Sequence, residues 1–136
     1  MLKQIGTYLE MKGSVWLIAG FYLIAGVNHF INPQFYWPLI PPFFENPEEI
    51  NKISGIAEIL LAGGLFFYPS RKTTSFITII VLLAFVPSHI YFIQIGSCID
   101  NGLCVPEWIG WLRLIVVHPA LILWVWRVGK STVSLY

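Results

Sequence analysis

The sequence predicts an all-α transmembrane four-helix bundle, with both termini cytoplasmic and an aromatic- and proline-rich outer loop. Three observations carry that expectation. The chain of 136 residues is 57% hydrophobic and only 11% charged, against about 25% charged in a soluble domain. A soluble fold this apolar would expose large sticky patches. The apolar residues gather into four runs, at about 14–31, 50–68, 74–95 and 108–128. Finally, the ionisable residues inside those runs are few and fall at similar depths. The whole of 1–136 reads as one domain of this kind.

The first run follows Lys3 and Lys12, as a secretory leader would. Its apolar stretch is long for a leader, and no small-x-small cleavage site follows, so it is expected to be a retained helix. The second run has a short apolar core. It reaches the roughly 20 residues that a span requires only by borrowing turns from its flanks. A span is still expected, because lipid offers an unpaired backbone no partner halfway across. Asn46-Pro47-Glu48-Glu49 supplies a helix start for it, with Asn46 as cap and Pro47 at the first helical position. The third and fourth runs are long enough unaided.

Orientation follows from the basic residues. Lys3, Lys12, Arg71, Lys72, Arg127 and Lys130 all fall on one side of the four runs. By the positive-inside rule that side is cytoplasmic. The loops 32–52 and 96–107 then face outward, and the expected location is a bacterial cytoplasmic (inner) membrane. Between the first two runs, Pro33, Pro38, Pro41, Pro42 and Pro47 alternate with Phe35, Tyr36, Trp37, Phe43 and Phe44. Prolines forbid a long helix there, and aromatics favour the headgroup level. The loop should lie on the outer end of the bundle as a cap.

Five ionisable residues lie within the spans or at their edges: His29, Glu58, His89, Arg113 and His118. Such residues are costly in lipid and mark candidate sites. His29 is about two residues from the outer end of its run, Glu58 and Arg113 about five, and His89 about six. At 1.5 Å per residue these four lie within roughly 10 Å of the outer surface, with His118 near the midplane. Every run contributes, which predicts one polar cluster under the aromatic cap. Tyr22, Ala25, Gly26 and His29 share a face of the first helix. Ser54, Gly55, Glu58 and Ala62 share one of the second, where small residues allow close approach. In a regular α-helix Arg113 and His118 would point about 140° apart and meet different neighbours.

Each of these residues also has a purely architectural reading. Glu58 and Arg113 have opposite charge and similar depth, so they are expected to form a buried ion pair. His29 could serve only as an interfacial hydrogen-bonder. His89 follows Pro87-Ser88 and His118 precedes Pro119. Each proline frees a carbonyl one turn back, which a neighbouring histidine can satisfy. Cys98 and Cys104 flank a turn-forming Asn101-Gly102 in the outer loop. A structural disulfide is the expectation there, with a redox-active pair as the alternative. The chain carries no zinc, haem or phosphate-loop motif, so no metal is expected. With a net charge of +1 and no basic run, no nucleic-acid partner is expected either.

The ordered pieces Gly26-x-x-His29-Phe30-x-x-Pro33, Pro41-Pro42, Ser54-Gly55-x-x-Glu58, Pro69-x-Arg71, Pro87-Ser88-His89-Ile90-Tyr91 and Arg113-Leu114 resemble the DoxX family of small four-helix membrane proteins. The resemblance runs from the first helix to the aromatic-rich last one. The family commonly has asparagine at the position of His89, and a proline and a glutamine soon after the arginine-leucine pair, where this chain has Ile115 and His118. The family takes its name from a subunit of a thiosulfate:quinone oxidoreductase, and other relatives are assembly or trafficking factors. The resemblance thus implies a membrane subunit of a quinone-linked redox system with a soluble or membrane redox partner. The polar cluster would hold a quinone headgroup, with His29 and His118 moving protons and Glu58–Arg113 fixing the site. The other reading it allows is a non-enzymatic scaffold, assembly factor or small-solute carrier.

Overall fold

The computed structural model describes residues 2–100 and 102–131, with side chains from residue 9 onward. Asn101 and the side chain of Lys3, both used above, lie outside the described residues. Helix α1 spans Leu2–Ile31. After it come α2, Pro33–Tyr36, and a 3-10 turn, Trp37–Leu39. The long helices α3, Pro47–Phe66, and α4, Arg71–Gln94, follow. The last helical stretch comprises α5, Glu107–Leu112, a π-helical turn, Arg113–Val117, and α6, His118–Gly129. Strand pairing among the described residues is limited to an isolated bridge between Cys98 and Cys104.

Among the described residues, three helical stretches are long and apolar enough to cross a membrane: Leu9–Ile31, Arg71–Gln94 and Glu107–Gly129. The second apolar run is helical as expected but does not meet that standard. Helix α3 carries Glu48, Glu49 and Lys52 in its first turns and Glu58 further in. Asn46 precedes it and Pro47 occupies the first turn, as the sequence suggests, but the Asn46 side chain makes no capping bond. Helix α1 starts well before its apolar part. Pro87 lies inside α4 without ending it.

Helix α1 packs chiefly on α3 and α4 on α6, with further contact between α3 and α4 and between α1 and α6. The α1–α3 contact is close because glycines face each other. A Cβ on Gly26 would sit 2.8 Å from the Gly55 carbonyl oxygen, and one on Gly55 would sit 2.7 Å from His29 Cβ. Below this crossing, Val15, Ile18 and Tyr22 meet Leu65, Leu82, Val125 and Val128 in a fully packed core. Trp124 Nε1 donates to Ser14 Oγ at 2.5 Å and ties α6 to α1.

At the far end from the cap, Arg71 is 1% exposed. Its Nε donates to the Leu65 carbonyl at 2.8 Å and its Nη2 to that of Phe66 at 3.2 Å. These are last-turn carbonyls that α3 cannot satisfy itself. Arg71 is therefore the C-terminal cap of the preceding helix. At the other end, Cys98 and Cys104 are joined by a disulfide, closing the 96–105 loop. Gly96 and Ser97 enter that loop with positive φ, 79° and 56°.

Candidate functional site

A cavity of about 330 Å³ lies between the C-terminal turns of α1 and α4, the N-terminal half of α3 and the α5–π segment. His29, Glu58, His89 and Arg113 all line it. The roof is the aromatic loop: Phe35 and Tyr36 from α2, Leu39 from the 3-10 turn, then Ile40 and Phe44. Four of the five candidate residues thus share one space, beneath the aromatic loop. The size and the apolar walls with few polar groups are those of small-molecule sites.

His29 is held on three sides. Its Nδ1 lies 2.6 Å from Asn51 Oδ1, and Asn51 Nδ2 donates to the His29 carbonyl at 2.9 Å. Since Nδ2 is the amide donor, Oδ1 is an acceptor, and Nδ1 must carry the hydrogen. The Tyr36 ring stacks on the imidazole at 3.7 Å and 20°. Tyr36 in turn accepts a 2.8 Å bond from Asn28 Nδ2, and Asn28 Oδ1 accepts one of 2.7 Å from Asn32. The roof is therefore pinned to the end of α1 through the histidine.

With Nδ1 committed, Nε2 of His29 faces Glu58 Oε2 at 3.5 Å. That oxygen is buried and has no hydrogen-bond partner. Without a proton between them, two lone-pair atoms would oppose each other in a dry site, an unfavourable arrangement. His29 and Glu58 are thus a pair that holds one proton, on either member. Below them, Tyr22 is 1% exposed with its hydroxyl unpartnered, on the same α1 face.

The expected Glu58–Arg113 ion pair is not formed. Glu58 is engaged by His29, because the Gly26–Gly55 contact draws α3 onto α1 rather than onto the last helix. Arg113 opens into the cavity, and among the described residues no carboxylate lies within ion-pair distance of it.

The expected divergence of Arg113 and His118 also fails, for a local reason. Pro119 has no N–H to give, and the turn before it is π-helical. The His118 N–H bonds the Arg113 carbonyl, five residues back. Residues five apart then share a face. Arg113 and His89 both line the cavity, and His118 reaches His89 from the same helix as Arg113. The His89 and His118 rings meet edge to face at 4.9 Å. His118 itself is buried outside the cavity lining, and its Nε2 lies 2.8 Å from the Leu82 carbonyl. Pro87 leaves the Leu83 carbonyl, not that of Leu82, without its N–H, so His118 ties the last helix to α4 rather than filling a gap made by a neighbouring proline. It positions His89.

Asn51, Tyr36, Ser54 and Ser88 belong to the site and were not among the candidate residues. A signal for Asn51 was present: it lies seven residues before Glu58, on the face of Ser54 and Gly55. Among the described residues no cluster of three metal-ligating side chains occurs.

A family described as a domain of unknown function (DUF8561) matches residues 18–129. The matched region holds every cavity residue named above, and the chain belongs to that family. No curated protein and no solved structure matches the chain.

Proposed function

We propose that this member of the DUF8561 family spans a bacterial cytoplasmic membrane four times as a DoxX-like four-helix bundle, and binds a small amphiphilic molecule in its outer half as the membrane subunit of a quinone-linked redox system. The observation that carries this reading is the roofed cavity, apolar over most of its wall and polar at His29, Glu58, His89 and Arg113. A span by α3 is supported by Ile53, Ile56 and Leu60, which it turns outward at 62%, 52% and 69% exposure. The disulfide at the cavity end supports an oxidising compartment on that side, in agreement with the basic residues at the other end.

A quinone headgroup suits the donor set. Its carbonyl oxygens would find the Arg113 guanidinium and the Ser88 hydroxyl, and its ring the Tyr36 and Phe85 side chains. Quinone chemistry supplies the electron transfer to and from a soluble or membrane redox partner. The chain's part is to exclude water, orient the ring and hold one proton on the His29–Glu58 pair. The test is calorimetric titration of purified protein with short-chain quinones, with a redox difference spectrum. Saturable binding that weakens at least about tenfold in Glu58→Gln is expected. Absence of binding to any quinone, with no bound chromophore, would favour the non-enzymatic scaffold or carrier. A specific observation already lends weight to that second reading: Arg71 and His118, two of the buried ionisable residues, meet backbone carbonyls of helices α3 and α4.

A further inference from the structure

The charges that line the cavity do not balance. The His29–Glu58 pair holds one proton and is neutral wherever that proton sits. Arg113 is always charged, and among the described residues no carboxylate pairs with it. His89 shares the cavity wall with Arg113 and meets the His118 ring, and among the described residues no carboxylate forms an ion pair with it, so any charge on it adds to the same sign. The cavity therefore presents one uncompensated positive charge at its polar end, in surroundings where charges are expected to be paired. Away from Arg113 the wall is apolar, from Phe35, Leu39, Phe44 and Ile53.

We propose that the missing counter-charge is the ligand's: the cavity selects amphiphiles with an anionic head, a carboxylate or phosphate oxygen docking on Arg113 while the tail lies under the aromatic roof. The planar guanidinium suits such an oxygen pair, since it offers two parallel N–H donors. The proposal rests on the reading of the cavity as a ligand site and adds the charge of what enters it. Two sources share this chemistry, a free long-chain carboxylate and an anionic phospholipid of the outer leaflet.

The experiment uses the whole chain in phosphatidylcholine nanodiscs, titrated in mildly alkaline buffer with dodecanoate and with neutral dodecanamide, and separately with a neutral short-chain quinone. The acid should bind roughly tenfold or more tighter than the amide, as expected for a charge-assisted contact. Arg113→Gln should erase the preference and Arg113→Lys should restore part of it. The acid–amide comparison in the unaltered protein needs no variant, so a folding failure leaves the test intact. Equal binding of acid and amide, or a preference that survives Arg113→Gln, overturns the proposal. If only the neutral quinone binds, the anion selectivity falls and the ligand site stands. If nothing binds, both fall. Adding phosphatidylglycerol to the discs separates the sources: Arg113-dependent competition with dodecanoate points to a membrane lipid, and its absence to the free carboxylate. Either result upholds the anionic head.

Discussion

Arg71 and Arg113 are both set among apolar helices, and the two ends of the molecule treat them differently. Arg71 is enclosed, with its N–H groups spent on the carbonyls that end α3. Arg113 stands at the wall of a cavity, with neither ion pair nor side-chain acceptor among the described residues. Arg71 itself is 1% exposed. Near Arg113 the same helices part and leave about 330 Å³ under a roof of aromatics. A buried charge whose donors are used is architecture. One whose donors face an open space, while the nearest carboxylate is engaged elsewhere, is a site. Residue type and depth alone cannot separate the two; partners can.

The largest test of this contrast is to truncate each arginine. Arg71→Gln should cost about 3 kcal/mol, since two buried carbonyls lose charge-assisted donors. Arg113→Gln should cost little or nothing. Denaturation of the two variants in the same detergent decides, and equal losses would erase the distinction. Next comes the helix crossing that gives Glu58 to His29. Gly55→Ala forces a methyl against His29 Cβ and the Gly26 carbonyl and should cost about 2 kcal/mol. If its melting temperature matches the unaltered protein, the close approach is not what holds the pair. Asn51→Leu should cost about 1–2 kcal/mol by orphaning His29 Nδ1, and it should weaken ligand binding without touching the Arg71 end. The smallest effect is expected from Trp124→Phe, which removes the bond to Ser14 in the closed region, about 1 kcal/mol. It should leave ligand binding unchanged; a binding defect there would mean that the two regions are coupled.

The sequence made the depth of the cluster legible because helical rise is fixed. Counting residues from the ends of four apolar runs was enough to place His29, Glu58, His89 and Arg113 together. The cap was legible for a similar reason, since prolines and aromatics in one loop leave few other places for it to lie. Azimuth was harder. Which helix takes Glu58 depends on where two glycines meet, and opposite charge at similar depth pointed to Arg113 instead. The rotation between Arg113 and His118 was misread because a 3.6-residue period was assumed through a segment where Pro119 permits a wider turn. Asn51 was missed because it sits at the polar margin of its run, where an amide attracts no notice. The fourth span was counted from apolar residues alone, and α3 carries more charge than the three helices that meet the length and apolarity standard.

The wide turn at Arg113–Val117 has a consequence for how this helix tolerates changes in length. It stores one residue more than regular winding would need, so shortening it by one lets the backbone heal without rotating either flank. Excising Val116 should therefore leave Val125 and Val128 facing inward and Arg113 over His89. The same excision at Leu123 would swing the final turns by roughly 100° and strip them from the core. A thermal melt of the two deletions, with the first near normal and the second collapsed, would identify this turn as a spare link in an otherwise inflexible rod.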